Sequence, residues 1–544
     1  MSEYVYCDIE TDGLNPSVIW VACCRQNGVT EVICNEQDFK SYVKAKDGAK
    51  FVFHNGIGFD IPAMRNLWDV VFRRDSIVDT LVLSRLANPN RTGGHSLRNW
   101  GNTLGFLKGD HEDWSRLSPE MIDYCMRDTE VTQAVHEALM EELAGFSQES
   151  QNLEHEVQWA ISQQERNGWL LDQRKALSLV AEYKETMNGI EEELQSIFPP
   201  IVEERWSEKT GKRLKDRVEI FNVGSRQQVA ARLATKGAKW NQKTETGKPV
   251  VDEKTLKEND SVPEAAKVLE FLTIQKRSAQ VKSWLENVQE DGRVHGRVIT
   301  NGAITGRMTH QTPNMAQVPA VPECRECWTV PEGKLLVGTD ASGLELRMLA
   351  HYMNDQEFTN VLLRDDVHTR NQVAAGLDTR PQAKTFIYAF LYGAGDAKIG
   401  SIVGGTAKHG RELKQRFLRN TPALEALRER VGNASGRGHL KGLDGREVLV
   451  RSEHSALNTL LQSAGAIVMK RALVLLESYA QQWKLDFKFV GNIHDEIQTE
   501  VPEAQAEKFG WLAVECIKAA GLHYKLRCPL DGESKVGKTW ADTH

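Results

Sequence analysis

The chain has 544 residues, 40% of them hydrophobic and 26% charged, with a formal net charge of −7 at pH 7. The opening MSEYVYCDIE lacks the basic start and apolar core of a secretory signal, and no run of about 18 apolar residues follows, so neither a signal peptide nor a membrane span is predicted. The nine cysteines are odd in number and irregularly spaced, which points to reduced thiols in a cytoplasmic compartment and not to a disulfide framework.

Tyr4 to Ile9 reads as a strand running into Asp8-Ile9-Glu10. Alternate residues of a strand face the same way, so the two carboxylates point together, and adjacent anions repel unless a cation lies between them. A second strand-like run, Phe51-Val52-Phe53, leads into HNGIGFD and sets Asp60 behind a glycine-rich turn. A helix is predicted over Pro119 to Glu142, where Tyr124 and Asp128 stand at i and i+4 and share a face. Singly, each pattern is common and needs no function. Together and in this order they resemble the three motifs of the DEDD exonuclease superfamily, in its tyrosine-containing branch. The resemblance implies two Mg2+ ions held by Asp8, Glu10, Asp60 and Asp128, a water positioned by Tyr124, and 3′→5′ proofreading.

Glu149 to Phe198 is charged and helically periodic, broken once at Asn167-Gly168 and ended by Pro199-Pro200. ERWSEKTGKRLKDR follows, mixed in charge but locally basic, and a second helical group runs from Arg226 to about Glu290. Helices joined by a basic, flexible connection suit an arm that grips a duplex by its phosphates; an exposed helical hairpin with solvated charges reads the same way from this segment alone. Net negative charge does not exclude a nucleic acid, because a duplex responds to local basic surface. Cys324 and Cys327 form one CxxC with no second pair, so zinc is not predicted.

Asn301 to Pro319, NGAITGRMTHQTPNMAQVP, is polar and glycine-rich, with Arg307 and Gln317 available for contacts. In LLVGTDASGLELRMLAHYM, Leu335 to Met353, a strand ends at Asp340 and helical spacing begins, with Glu345 and Arg347 on the following turn. RPQAKTFIYAFLYGAG opens at Arg380 behind Thr379, a suitable N-cap, with Pro381 tolerated in the first turn. Arg380, Lys384, Tyr388 and Tyr392 recur every four residues on one drifting face, and eight helical residues rise about 12 Å, roughly the reach from a terminal phosphate to a sugar. Two cations followed by an aromatic ring match a nucleoside triphosphate lying along the helix. FKFVGNIHDEIQTEV reads as two β-rich runs around His494-Asp495, a hairpin able to bring Asp495 beside Asp340. Two carboxylates from separate strands suit a pair of divalent cations about 3.5–4 Å apart.

DASGLELR, RxxxKxxxYxxxYG and HDE resemble motifs A, B and C of the family A, or polymerase-I-like, DNA polymerases. TGRMTHQTPN resembles the template-primer motif of that family, and NTLLQSAGA (Asn458 to Ala466) its minor-groove motif. The likeness extends furthest to the replicative polymerases of short-tailed lytic phages that recruit host thioredoxin, through KTFIYAFLYGAGDAKIGSIVG and KGLDGREVLVRSEHSALNTLLQSAGA. It implies an α/β (α+β) right-hand fold with an RNase H-like exonuclease domain: exonuclease over 1–147, thumb over 148–290, palm over 291–352 and 458–544, and fingers over 353–457.

The resemblance also implies site roles. Asp340 and Asp495 form the catalytic pair and, with the Ala341 carbonyl, bind two Mg2+ ions, for which Mn2+ can substitute. Arg380, Lys384 and His368 take the triphosphate, Tyr388 lies near the incoming sugar and base, and Tyr392 supports the templating site. Glu345 closes the space a ribose 2′-hydroxyl needs. Arg307, Arg325, Asn458, Gln462 and His494 contact primer-template DNA. Implied partners are primer-template, dNTPs, a helicase-primase and a single-strand-binding protein in a bacterial host cytoplasm. The connection from Pro199 to Ser225 is far shorter than the thioredoxin-binding insertion of those phage relatives, which argues against thioredoxin. No 5′-nuclease domain is expected ahead of the exonuclease. A single-subunit RNA polymerase is disfavoured by Glu345, Gln462 and the exonuclease motifs. A decayed, non-catalytic DNA-binding scaffold is disfavoured by the intact carboxylates.

Overall fold

The computed structural model describes residues 3–106, 109–364 and 367–544. The amino-terminal unit is a five-stranded sheet ordered β3-β2-β1-β4-β5, built from β1 (Tyr4–Thr11), β2 (Ile19–Gln26), β3 (Val29–Ile33), β4 (Lys50–Phe53) and β5 (Ile77–Asp79). β1 runs antiparallel to β2 and parallel to β4, and Val5, Ile9, Phe51 and Phe53 enter one apolar core. Helix α1 (Asp60–Trp68) starts at the glycine-rich turn, and α2 (Pro119–Glu142) packs on β1 and β2. α2 begins where expected because the Ser118 side chain accepts from the Met121 amide and Pro119 needs no donor in the first turn.

The next segment departs from its reading as an arm. Helix α3 (Gln148–Asn167) packs on the long palm helix and on the amino-terminal unit; Ser162 Oγ donates to the Ile57 carbonyl at 2.9 Å. The break at Asn167-Gly168 leads into β6 (Trp169–Leu171), and α4 (Gln173–Ile197) follows. The connection expected to be flexible is a hairpin of β7 (Ile201–Glu203) and β8 (Arg217–Glu219), paired Ile201↔Glu219, with a further bridge Trp206↔Arg213. Its β-branched Ile201, Val202 and Val218 favour the extended backbone over a coil. α4 pairs lengthwise with α5 (Pro263–Glu286), and these two helices make the arm. Four short strands then appear: β9 (Arg293–Val294), β10 (Arg297–Ile299), β11 (Thr309–Gln311) and β12 (Trp328–Thr329); β6 lies between β12 and β9, fastening the base of the arm.

The palm sheet begins with β13 (Lys334–Ala341), followed by α6 (Leu344–Met353) and, in the fingers, α7 (Arg380–Leu391). A small hairpin, β14 (His439–Lys441) and β15 (Glu447–Leu449), precedes α8 (Glu453–Gln482). β16 (Lys488–Ile493), β17 (Glu496–Pro502), α9 (Ala506–His523) and β18 (Gly532–Gly537) complete an antiparallel sheet ordered β16-β17-β13-β18. α9 packs on β13 and β18, and α8 packs on α9 and α3. α8 is long and apolar enough to cross a membrane by length and by a mean hydropathy of 1.4, but 72% of that window is buried inside the protein, the pattern of a core helix.

A buried charge cluster joins these units. Glu154 of α3, 0% exposed, meets Lys470 Nζ of α8 at 2.6 Å and Arg446 Nη1 at 2.6 Å, and Arg446 Nε donates to Asp444 at 3.0 Å. Burial pushes the Lys470 ammonium down to about 8 despite the attraction of Glu154. Removing one partner of a buried pair strands a charge. Glu154→Ala is therefore expected to lower stability by about 3–5 kcal/mol. The double variant Glu154→Leu with Lys470→Met recovers most of that loss, and denaturant unfolding of both proteins checks the difference.

Candidate active site

The palm acids meet through strand register. Asp340 is the penultimate residue of β13 and pairs with Glu496 of β17 on one side and Glu533 of β18 on the other. β16 and β17 are joined by only His494 and Asp495, with His494 at φ +60°, the sign a two-residue hairpin turn asks of its first residue. The Ala341 amide donates to the Asp495 carbonyl at 3.2 Å, which ties that turn to the end of β13. The Asp340 carboxyl is pushed up to about 7, first by burial and then by Asp495, Glu496 and Glu533, while Lys535 pulls the other way. Burial also raises Asp495, with Arg307 and His494 opposing. The donors are carboxylates and a backbone carbonyl where acids outweigh the nearby cations, a set that fits hard divalent cations.

Tyr388 and Tyr392, from the fingers, reach the same place. Thr379 and Gln382 cap α7 reciprocally, fixing where Arg380 and Lys384 emerge, and both of these cations are exposed. His368 lies 6.3 Å from the Tyr388 ring, and Tyr388 stacks on Tyr392 at 6.5 Å. Tyr392, which follows the last residue of α7, donates to Glu345 Oε1 at 2.5 Å, and Arg307 reaches the same oxygen at 3.2 Å. Tyr388 feels the charges of Glu345 and Asp495 and is raised, chiefly by burial. On α8, Gln462 Nε2 donates to Asn458 Oδ1 at 2.9 Å, both half-buried. His494 is exposed and lines a small pocket with Arg307, Ala466 and Asn492. Arg325 differs from the other expected DNA contacts. It is 9% exposed, its guanidinium lies 4.7 Å over the Trp540 ring, and Nε and Nη1 are buried without hydrogen-bond partners.

The amino-terminal acids form a second, more enclosed cluster. Glu10, Asp60 and Asp128 are buried and Asp8 is half-buried. Asp60 accepts from the Ile9 amide and feels Asp79 and Asp128; burial is the main cause that pushes its carboxyl up to about 7. Tyr124 packs against Trp114 at 5.7 Å and His111 at 6.0 Å, one helical turn before Asp128. Sequence reasoning passed over Asp79, which accepts from the Asn55 and Ile57 amides at 2.9 and 3.1 Å and so holds the turn that delivers Asp60.

Residues 201–542 match DNA polymerase family A, and the chain is 34% identical to the DNA-directed DNA polymerase of Escherichia phage T7 over 99% of each sequence. This protein belongs to DNA polymerase family A. The DNA-directed DNA polymerase of Enterobacteria phage T3 is 35% identical over 93% of this chain and 95% of its own, and DNA polymerase I of Aquifex aeolicus 26% identical over 99% and 96%. Among solved structures, the POL domain of Pol1 from M. smegmatis in complex with DNA primer-template and dNTP superposes with a TM-score of 0.82 over 100% of this chain and 96% of that one, at 18% identity. That likeness establishes the right-hand α/β fold, and the sequence relatives establish a DNA-directed DNA polymerase. The T7 alignment runs over 700 positions against 544 residues here, so the phage relative carries segments that this family A polymerase lacks.

Glu496, the last residue of HDE, is held by the carboxyl-terminal residues. It is 6% exposed and accepts from Trp540 Nε1 at 2.7 Å and from His544 Nδ1 at 2.9 Å, contacts made by residues far along the chain. The electrostatics predict a pH dependence. Asp340 titrates in the folded protein above its ordinary value of 3.8, so its contribution favours the metal-free fold at low pH and is lost as pH rises through about 7. Mg2+ is expected to raise Tm more at about pH 8 than at about pH 6. Asp340→Asn should raise the metal-free Tm at the higher pH and shrink the Mg2+ shift, as thermal scans at both pH values will show.

Proposed function

We propose that this polymerase extends a primer 3′ end with dNTPs at Asp340 and Asp495 and removes misincorporated ends at a separate 3′→5′ exonuclease centre in its first 147 residues. The observation that carries the reading is the presence of two carboxylate clusters, each at the end of a strand and each raising a member acid to about 7. Mg2+ at Asp340, Asp495 and the Ala341 carbonyl would supply Lewis-acid activation of the primer hydroxyl and stabilisation of the leaving pyrophosphate. The chain's own groups do the positioning. Arg380 and Lys384, one turn apart and exposed, present cations to the triphosphate, with His368 beside Tyr388 at the sugar end. Glu345, held by Tyr392 and Arg307, fills the space a 2′-hydroxyl would need. Arg307, Asn458, Gln462 and His494 offer donors to minor-groove acceptors that all correct pairs share, so they test pair geometry without reading sequence. In the exonuclease centre Asp8, Glu10, Asp60 and Asp128 would hold Mg2+, and Tyr124 orients the attacking water.

The partners proposed are primer-template DNA, a helicase-primase and a single-strand-binding protein of a phage replicating in bacterial cytoplasm. Thioredoxin is not among them, since the connection from Pro199 to Ser225 carries only the short hairpin of β7 and β8. Primer extension with dNTPs should fall at least about a hundredfold in Asp340→Asn or Asp495→Asn, the scale of losing one preorganised electrostatic partner. Extension by either variant at the parental rate refutes the synthetic site. Asp8→Ala with Glu10→Ala should abolish single-strand degradation and leave extension intact. Tyr388→Phe is expected to lower ddNTP incorporation relative to dNTP by about tenfold, the worth of one hydrogen bond, read as a ratio of kcat/KM values.

A further inference from the structure

The loop that carries Arg307 and the turn that carries Asp495 come from distant parts of the chain, and one buried side chain joins them. His310 stands on β11, shortly after Arg307, and pairs with Val298 of β10. It is 8% exposed and hydrogen-bonds the backbone of Asn492, which lies on β16 just ahead of the His494-Asp495 turn. That bond favours the protonated ring, so its partner is the Asn492 carbonyl. Nε2 has no partner within the protein, so Nδ1 carries the proton and donates. Burial pushes the ring down to about 4, and the charge of His494 works the same way. His310 is thus a neutral imidazole at pH 7, with its donor used and its acceptor left over. The Asn492 side chain is fixed as well, since its Nδ2 donates to Gln164 Oε1 of α3 at 2.7 Å.

The leftover acceptor has a cavity beside it. Gln164, Trp169, His310, Val490 and Gly491 are among the residues that line a space of about 10 Å3 at the base of the arm. The β16 ladder shifts register here, between Phe489 and Gly491. Trp169 is 1% exposed, and its indole Nε1 also lacks a partner. Gly491 keeps the wall thin, because a Cβ there would come within 2.8 Å of the Trp169 ring. An indole N–H and an imidazole lone pair, both buried and lining one space, are satisfied together by a single water that accepts from one and donates to the other. The volume suits one water and nothing larger.

We propose that His310 is a positioning residue of the polymerase site, bracing the Asp495 turn through the Asn492 carbonyl on one ring nitrogen and through a buried water shared with Trp169 on the other. The inference rests on reading Asp495 as a catalytic carboxylate. The brace makes the strand after Arg307 and the strand before Asp495 move as one, so DNA engaged by Arg307 finds the carboxylate already in place. Preorganisation of this kind acts on the rate of the chemical step. It leaves dNTP affinity alone, since a buried ring touches no nucleotide.

The test uses the full chain and follows incorporation of one dNTP at saturating primer-template, with the maximal rate and the dNTP KM read separately. His310→Phe keeps the bulk of the ring and loses both polar contacts. It should lower the maximal rate about tenfold and leave KM within about twofold, whereas a merely structural role would lower Tm without this split. His310→Asn keeps a donor where Nδ1 stands and should recover to a deficit of about threefold. Trp169→Phe gives up the same water and should also cost about threefold, and the two losses should not add in the double variant. That pair carries the test if His310→Phe does not fold. A His310→Phe enzyme with the parental rate, a loss that His310→Asn leaves unrepaired, or additive losses in the double variant overturn the proposal. Asp495→Asn separates the two readings. If it is inactive while His310→Phe is unimpaired, only the brace is refuted; if it extends at the parental rate, the synthetic site is refuted and the brace with it.

Discussion

Asp340 and Asp495 repel one another, and the palm is built so that they cannot move apart. Two neighbouring like charges cost on the order of a few kcal/mol at the effective dielectric near a protein surface. Against this stands a sheet whose register allows no slip, since shifting β13 by one residue against β17 would turn Leu336 and Asp340 to the opposite face. Leu336, Val337, Ile497 and Val501 are buried, and each such side chain contributes about 1.5–3 kcal/mol on burial. The apolar sheet therefore outweighs the repulsion several times over. What remains is a carboxylate near neutral pKa at the open end of a strand, ready for a cation.

The same physics made these parts legible in the sequence. A strand's alternation, a helix cap and a two-residue turn are local, so β13, the His494-Asp495 hairpin, α2 and the α7 cap could all be read from adjacent residues. The features that escaped are set by partners far along the chain. α3 has the charged periodicity of an exposed arm helix, and only Lys470 and Arg446, about three hundred positions on, show why Glu154 is buried. Asp79 looked like an ordinary acid at a strand end until the turn it holds was in place. Arg325 carried the charge of a DNA contact, but the Trp540 ring covers it. The arm connection had the composition of a flexible linker and the β-branched residues of a hairpin, and the second property prevailed.

The two acid clusters differ in their exposure. Asp340 is exposed, at the end of a strand beside helices whose cations face solvent, so a duplex end and a triphosphate can approach together. Glu10, Asp60 and Asp128 are buried.

Helix α3 ties the amino-terminal unit to the palm. It touches the amino-terminal unit through His155, whose ring nitrogen accepts from the Asp79 amide at 2.9 Å, and the palm through Glu154 on the adjacent position. Arg74 closes the same interface from the other side with paired bonds to Glu477 at 2.7 and 2.8 Å. A hinge between the amino-terminal unit and the palm would need the paired Arg74–Glu477 bonds to open, and Glu477 is buried.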